Sequence, residues 1–130
     1  MLNDALARLE VVADTFLSVN APTQAALPSW LCGRDQLQSQ IRERVRRNLA
    51  ALDARLRGTY ADRLALEGGW TAVLRVPRAV EGKPFAEAAL DRGVLIQPGE
   101  FYGLPDGRAV VSLLSLPDVW DRGLKLLPID

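Results

Sequence analysis

The sequence predicts an α+β fold, with a small antiparallel or mixed sheet covered by helices and preceded by a long helix of the interdomain type. Three observations predict it. Apolar residues recur at helical spacing through residue 57. After Gly58 the pattern turns to short apolar runs bounded by Gly and Pro. With 130 residues, one core is the expectation, and helices on one face of a small sheet satisfy it.

The elements follow in order. Leu2, Leu6, Leu9, Ala13 and Phe16 make one apolar stripe on a first helix, for which Asn3 is a candidate cap. Pro22 biases Ala21 away from helical geometry, so the chain turns there. Thr23 then caps a short helix over residues 24–31, kinked at Pro28. Leu37, Ile41, Val45, Leu49, Leu52 and Leu56 predict one amphipathic helix over 34–57, ended by Gly58. Residues 70–77 read as a strand with Trp70, Ala72, Leu74 and Val76 on one face. Pro84 opens a helix over 84–91, and Gly93 ends it. Val94, Leu95 and Ile96 read as a short buried strand, followed by a turn at Gln97-Pro98-Gly99. A last strand covers 109–114, and Pro117 opens the final helix.

Composition removes several classes of function. Apolar residues are 48% of the chain and charged residues 25%, which excludes a disordered chain. Lys plus Arg and Asp plus Glu are 16 each, so no net charge draws the chain to nucleic acid or acidic lipid. The helix over 34–57 does carry seven arginines against three acids, but the acids are interleaved and no stacking platform accompanies them. No apolar run is long enough to span a bilayer. One cysteine, Cys32, and no histidine leave neither a disulfide nor a zinc site. Cys32 reads as a buried or half-buried thiol. The expectation is a cytoplasmic protein with no metal, no nucleic-acid partner and no membrane partner.

Three segments, in order, carry a resemblance. They are Gly68-Gly69-Trp70-Thr71-Ala72-Val73-Leu74-Arg75-Val76-Pro77, Arg92-Gly93-Val94-Leu95-Ile96-Gln97-Pro98-Gly99-Glu100-Phe101-Tyr102-Gly103, and Val110-Val111-Ser112-Leu113-Leu114-Ser115-Leu116-Pro117. Together they resemble the small C-terminal domain of fold-type I pyridoxal phosphate enzymes, the class I/II aminotransferases. Residues 10–24 are similar to the segment that leaves the large domain of that family. The resemblance implies that residues 1–32 correspond to the end of the large domain and its connecting loop. Residues 33–130 correspond to the small domain. The chain spans only the last part of a complete member.

The same resemblance implies where chemistry is lacking. Such enzymes hold pyridoxal phosphate through a lysine Schiff base and an acid on the pyridine nitrogen, both in the large domain. Lys83 and Lys125 are the only lysines, and both read as surface residues. No residue is therefore expected to be catalytic or to bind the cofactor in isolation. In a full-length parent, Asn20, Gly69, Tyr102, Ser112 and Arg108 would face the active site. Family members place an arginine for the substrate carboxylate where this chain has Ser112. Arg108 is the alternative cation, but four strand residues separate it, some 13 Å. The expected function is that of an aminotransferase C-terminal fragment, inactive alone, whose parent moves an amino group between an amino acid and a 2-oxo acid. Its partner would be the missing large domain or a neighbouring subunit. The alternative is a non-catalytic interaction domain that dimerises through the Leu2, Leu6, Leu9 and Phe16 stripe.

Overall fold

The computed structural model describes residues 2–15 and 19–129. They form two compact units, Met1–Leu37 and Gln38–Asp130. The architecture is α+β, with five helices, a four-stranded antiparallel sheet and a small two-stranded ribbon. Among the described residues, no helix is long and apolar enough to cross a membrane.

The N-terminal unit contains α1 (Leu2–Thr15), α2 (Ala21–Cys32) and the start of α3 (Arg34–Leu56). Asn3 lies within α1 and does not cap it. The cap of α2 is Asn20 and not Thr23. Its side-chain Oδ1 accepts from the Thr23 N–H at 2.9 Å, and Pro22 occupies the first turn. An asparagine at extended φ/ψ satisfies a free helix donor, and a proline there costs no hydrogen bond. The helix then runs through Pro28 as far as Cys32. Neither α1 nor α2 contains a buried residue. Leu2 is 74% exposed, Leu9 63% and Trp30 62%. Cys32 is exposed as well, at the end of a helix with no buried residue.

The C-terminal unit has the core. Most of α3 belongs to it, and its buried positions are Asn48, Leu52 and Leu56. The predicted stripe is thus sealed only in its second half. β1 (Asp62–Arg63), β2 (Thr71–Arg75), β6 (Arg108–Ser112) and β5 (Gln97–Pro98) lie side by side in that order. All pairs are antiparallel, and Thr71 stands opposite Ser112 while Arg75 stands opposite Arg108. Ala72, Leu74, Ala109, Val111 and Leu113 join Leu52, Leu56, Trp120 and Leu124 in one core. Alternation along β2 and β6 puts these side chains on a shared face. The last helix, α5 (Pro117–Leu126), starts at the proline that the sequence marks.

Three local readings differ. Trp70 precedes β2 and is 57% exposed instead of sharing the buried face. Residues 94–96 form no strand, and Leu95 is 84% exposed. Gly93 at φ 81° closes α4 (Phe85–Asp91), and the Val94 N–H bonds back to the Ala89 carbonyl at 2.9 Å. That helix-ending bond takes the donor a strand would need. Pairing begins instead at Gln97, where a turn was expected. The polar connection before α4 is a hairpin of β3 (Ala79–Val80) and β4 (Lys83–Pro84). Glu81 and Gly82 turn it at φ 53° and 78°, as a two-residue primed turn requires.

Candidate functional site

Two of the five residues named from the sequence converge at one end of the sheet. Gly69, at φ 82°, turns the chain into β2. The register then sets Thr71 against Ser112, and the Leu113 N–H donates to the Trp70 carbonyl at 2.7 Å. Ser112 is exposed, and its Oγ accepts from the Leu114 N–H at 3.3 Å. A hydroxyl engaged as an acceptor still has its proton to donate.

Arg108 lies at the opposite end of the same strand. It pairs in register with Arg75, and its Nη1 donates to the Gly107 carbonyl at 3.1 Å. Two arginines side by side would repel, and Asp62 relieves this with a paired hydrogen bond from Arg75. That hydrogen bond holds the Asp62 carboxyl below its ordinary value, with the Arg108 charge a smaller contribution. The fixed register therefore leaves no way for Arg108 to reach the Ser112 position.

Tyr102 does not join this end either. Tyr102 closes a 3-10 turn, Gly99–Tyr102, that follows β5, and its hydroxyl bonds to the Gln97 side chain. Gly99 sits against Arg108, where a Cβ would come within 2.6 Å of the Arg108 Cβ. Asn20 belongs to the N-terminal unit and serves as the α2 cap.

Neither lysine amine suits a Schiff base. Lys83 is ion-paired with Asp91, and their hydrogen bond raises the amine above the ordinary lysine value. A Schiff-base nucleophile needs the opposite shift. Lys125 is exposed in the last turn of α5. Among the described residues, no group of three or more His, Cys, Asp and Glu side chains is placed to hold a metal.

What the sequence reading passed over is a cleft of 440 Å³ within the C-terminal unit. Its floor includes Thr71, Val110, Val111 and Ser112 from the sheet. One wall is the irregular segment Gly93–Gln97, and the other is the face of α5 bearing Val119, Arg122, Gly123 and Leu126. Trp120 and Leu52 close it from the core side. The spacing 119, 122–123, 126 is one helical stripe, visible in the sequence once α5 is placed. The signal that marks it is Gly123, a glycine in a helix interior.

Two of the six arginines of α3 tie it to α5. Arg47 pairs with Asp121 on α5, and the Arg55 Nε donates to the Leu124 carbonyl at 3.0 Å. Arg63, beyond the helix, pairs with Asp53. No known protein-family model matches the chain, and no curated protein matches it in sequence.

Proposed function

We propose that the chain is the C-terminal, substrate-covering part of an aminotransferase-like pyridoxal phosphate enzyme, and that it transfers no amino group alone. The observation that carries this reading is the contrast between the two units. The C-terminal unit seals its own core, whereas the described residues of α1 and α2 are all unburied and expose Leu2, Leu6, Leu9 and Trp30. The resemblance assigns those residues to the exit from a large domain, a body against which such a stripe would pack. A contiguous apolar surface of several hundred Å² marks a contact region.

In the parent, the sheet end that joins Gly69, Thr71 and Ser112 faces the substrate. The cation for the substrate carboxylate comes from outside this strand, since Arg108 is held at the far end. Closure of the domain excludes water from a site that the large domain supplies. The electron sink and its anchoring lysine belong to that large domain.

The genomic sequence directly upstream tests the proposal. An in-frame large domain with a lysine-bearing cofactor site supports it, and unrelated coding sequence or none refutes it. With the purified chain and one equivalent of pyridoxal phosphate, no saturable absorbance near about 420 nm and no transaminase turnover are expected. Turnover by the chain alone sinks the inactivity claim.

A second reading rests on the same uncovered stripe, self-association through α1. Solution mass across a dilution series decides it. A monomer at all concentrations removes this reading.

A further inference from the structure

We propose that the cleft between α5 and the Gly93–Gln97 segment is a binding site for an apolar monocarboxylate, with Arg122 as the anion contact. The cleft lies wholly within the C-terminal unit and shares Thr71 and Ser112 with the proposed substrate-facing sheet end, but its occupancy does not require the aminotransferase reading.

Size comes first. A cleft of 440 Å³ lies within the range of sites that enclose small organic ligands. Its surface is mainly apolar, contributed by Val94, Leu95, Val110, Val119 and Leu126 among others. Leu95 is 84% exposed at the rim.

Charge comes next. Among the described residues, Arg122 is the only charged side chain that lines the cleft, and no carboxylate lines it. Four other cations of this unit are each held by an acid: Arg47 by Asp121, Arg63 by Asp53, Arg75 by Asp62 and Lys83 by Asp91. Arg122 has no ion pair and no side-chain hydrogen bond among the described residues. A guanidinium beside a dry wall selects a planar anion, which it can grip with two parallel N–H donors. The hydroxyls of Thr71, Ser112 and Ser115 add donors and no negative charge.

Gly123 is the third observation. A glycine inside a helix weakens it relative to alanine, so its presence calls for a packing reason. Among the described residues a Cβ there meets nothing within 4 Å. The space above it is the cleft itself. Gly123 keeps the α5 wall low beside Arg122, so that an apolar body can lie across the helix with its carboxylate at the guanidinium.

The test uses decanoate as the probe and decanol as its uncharged counterpart, followed by amide and indole NMR shifts of the chain. Trp120 lines the cleft, and its indole N–H, bonded to the Asn48 carbonyl, is a built-in reporter. Decanoate should shift the Trp120 indole saturably, and decanol should bind roughly tenfold more weakly. Arg122→Gln should lose roughly that same tenfold for decanoate and nothing for decanol. Gly123→Phe should abolish binding of both while its spectrum stays dispersed. Should that variant not fold, Leu95→Trp narrows the cleft from the opposite wall at a solvent-exposed position. No saturable shift, equal affinity for acid and alcohol, or undiminished binding in the narrowed variant each overturns the proposal.

Discussion

The indole Nε1–H of Trp120 donates to the main-chain carbonyl of Asn48 at 2.9 Å, tying the middle of α3 to the last helix. The Asn48 side chain completes the junction. Its Nδ2 donates to the carbonyls of Leu113 and Ser115, both at 2.9 Å, and its Oδ1 accepts from Arg47. Asn48 is fully buried, so these bonds replace water that cannot enter.

Asn48→Ala is therefore expected to destabilise the chain by about 2–4 kcal/mol, from two stranded carbonyls and a small void. Urea unfolding measures it. A loss below about 1 kcal/mol would mean that the exposed end of β6 rehydrates freely.

Glycines here differ in what they permit. Gly99→Ala drives a Cβ into Arg108 Cβ and the Arg108 carbonyl, at 2.6 and 2.9 Å, and should cost about 1–3 kcal/mol. Gly68→Ala meets nothing within 4 Å and needs no left-handed φ, so it should be neutral or stabilising by up to about 1 kcal/mol. Paired thermal melts of the two variants would show opposite signs.

Asp53 sets an acid-side dependence. The hydrogen bond from Arg63 holds its carboxyl below the ordinary 3.8, against an opposing desolvation. The folded value is lower than the unfolded one, so the pair stabilises above the unfolded value and that contribution fades as pH falls through the folded value. The carboxylate is 41% exposed, which limits the effect to less than about 1 kcal/mol. The stability gap between the native chain and Asp53→Asn should close between about pH 5 and about pH 2, in denaturant titrations at each pH. A gap that widens on acidification would refute the assignment.

Removal of residues 1–33 should leave the remaining fold intact. No described residue of α1 or α2 is itself buried, so the unfolding free energy of the shortened chain should change by less than about 1 kcal/mol. Solubility should rise as Leu2, Leu6, Leu9 and Trp30 are lost. A collapse of the amide spectrum would show that the arm supports the core.

The fold class was legible because periodicity dominates its strongest elements. The stripe of α3, the alternation in β2, the apolar run of β6 and the Pro117 start of α5 all read correctly in type. Short pairings such as β1, β3 and β4, two residues each, were not legible. β1 exists because tertiary register brings Asp62 opposite Arg75, whereas β3 and β4 are joined by the tight turn at Glu81 and Gly82, which no Asn-Gly or Asp-Gly pair announces. Residues 94–96 were misread because an apolar run does not reveal that its first donor is already used in a helix cap. Asn48 escaped notice since a polar residue breaks the apolar period that marks a core face. Of the site, Gly69 and Ser112 were placed at one sheet end by register, and the same register separated Arg108 from them. The cleft beside Gly123 was invisible until α5 had a wall to face.

Ile129 is fully buried and belongs to the same core as Leu52. During synthesis, the hydrophobic centre of this unit stays unsealed until that isoleucine has left the ribosome. The core face of α3, with Leu52 and Leu56, must wait, still wet, for the residues made near residue 129. Chains stalled short of that point expose core surface and are prone to aggregate.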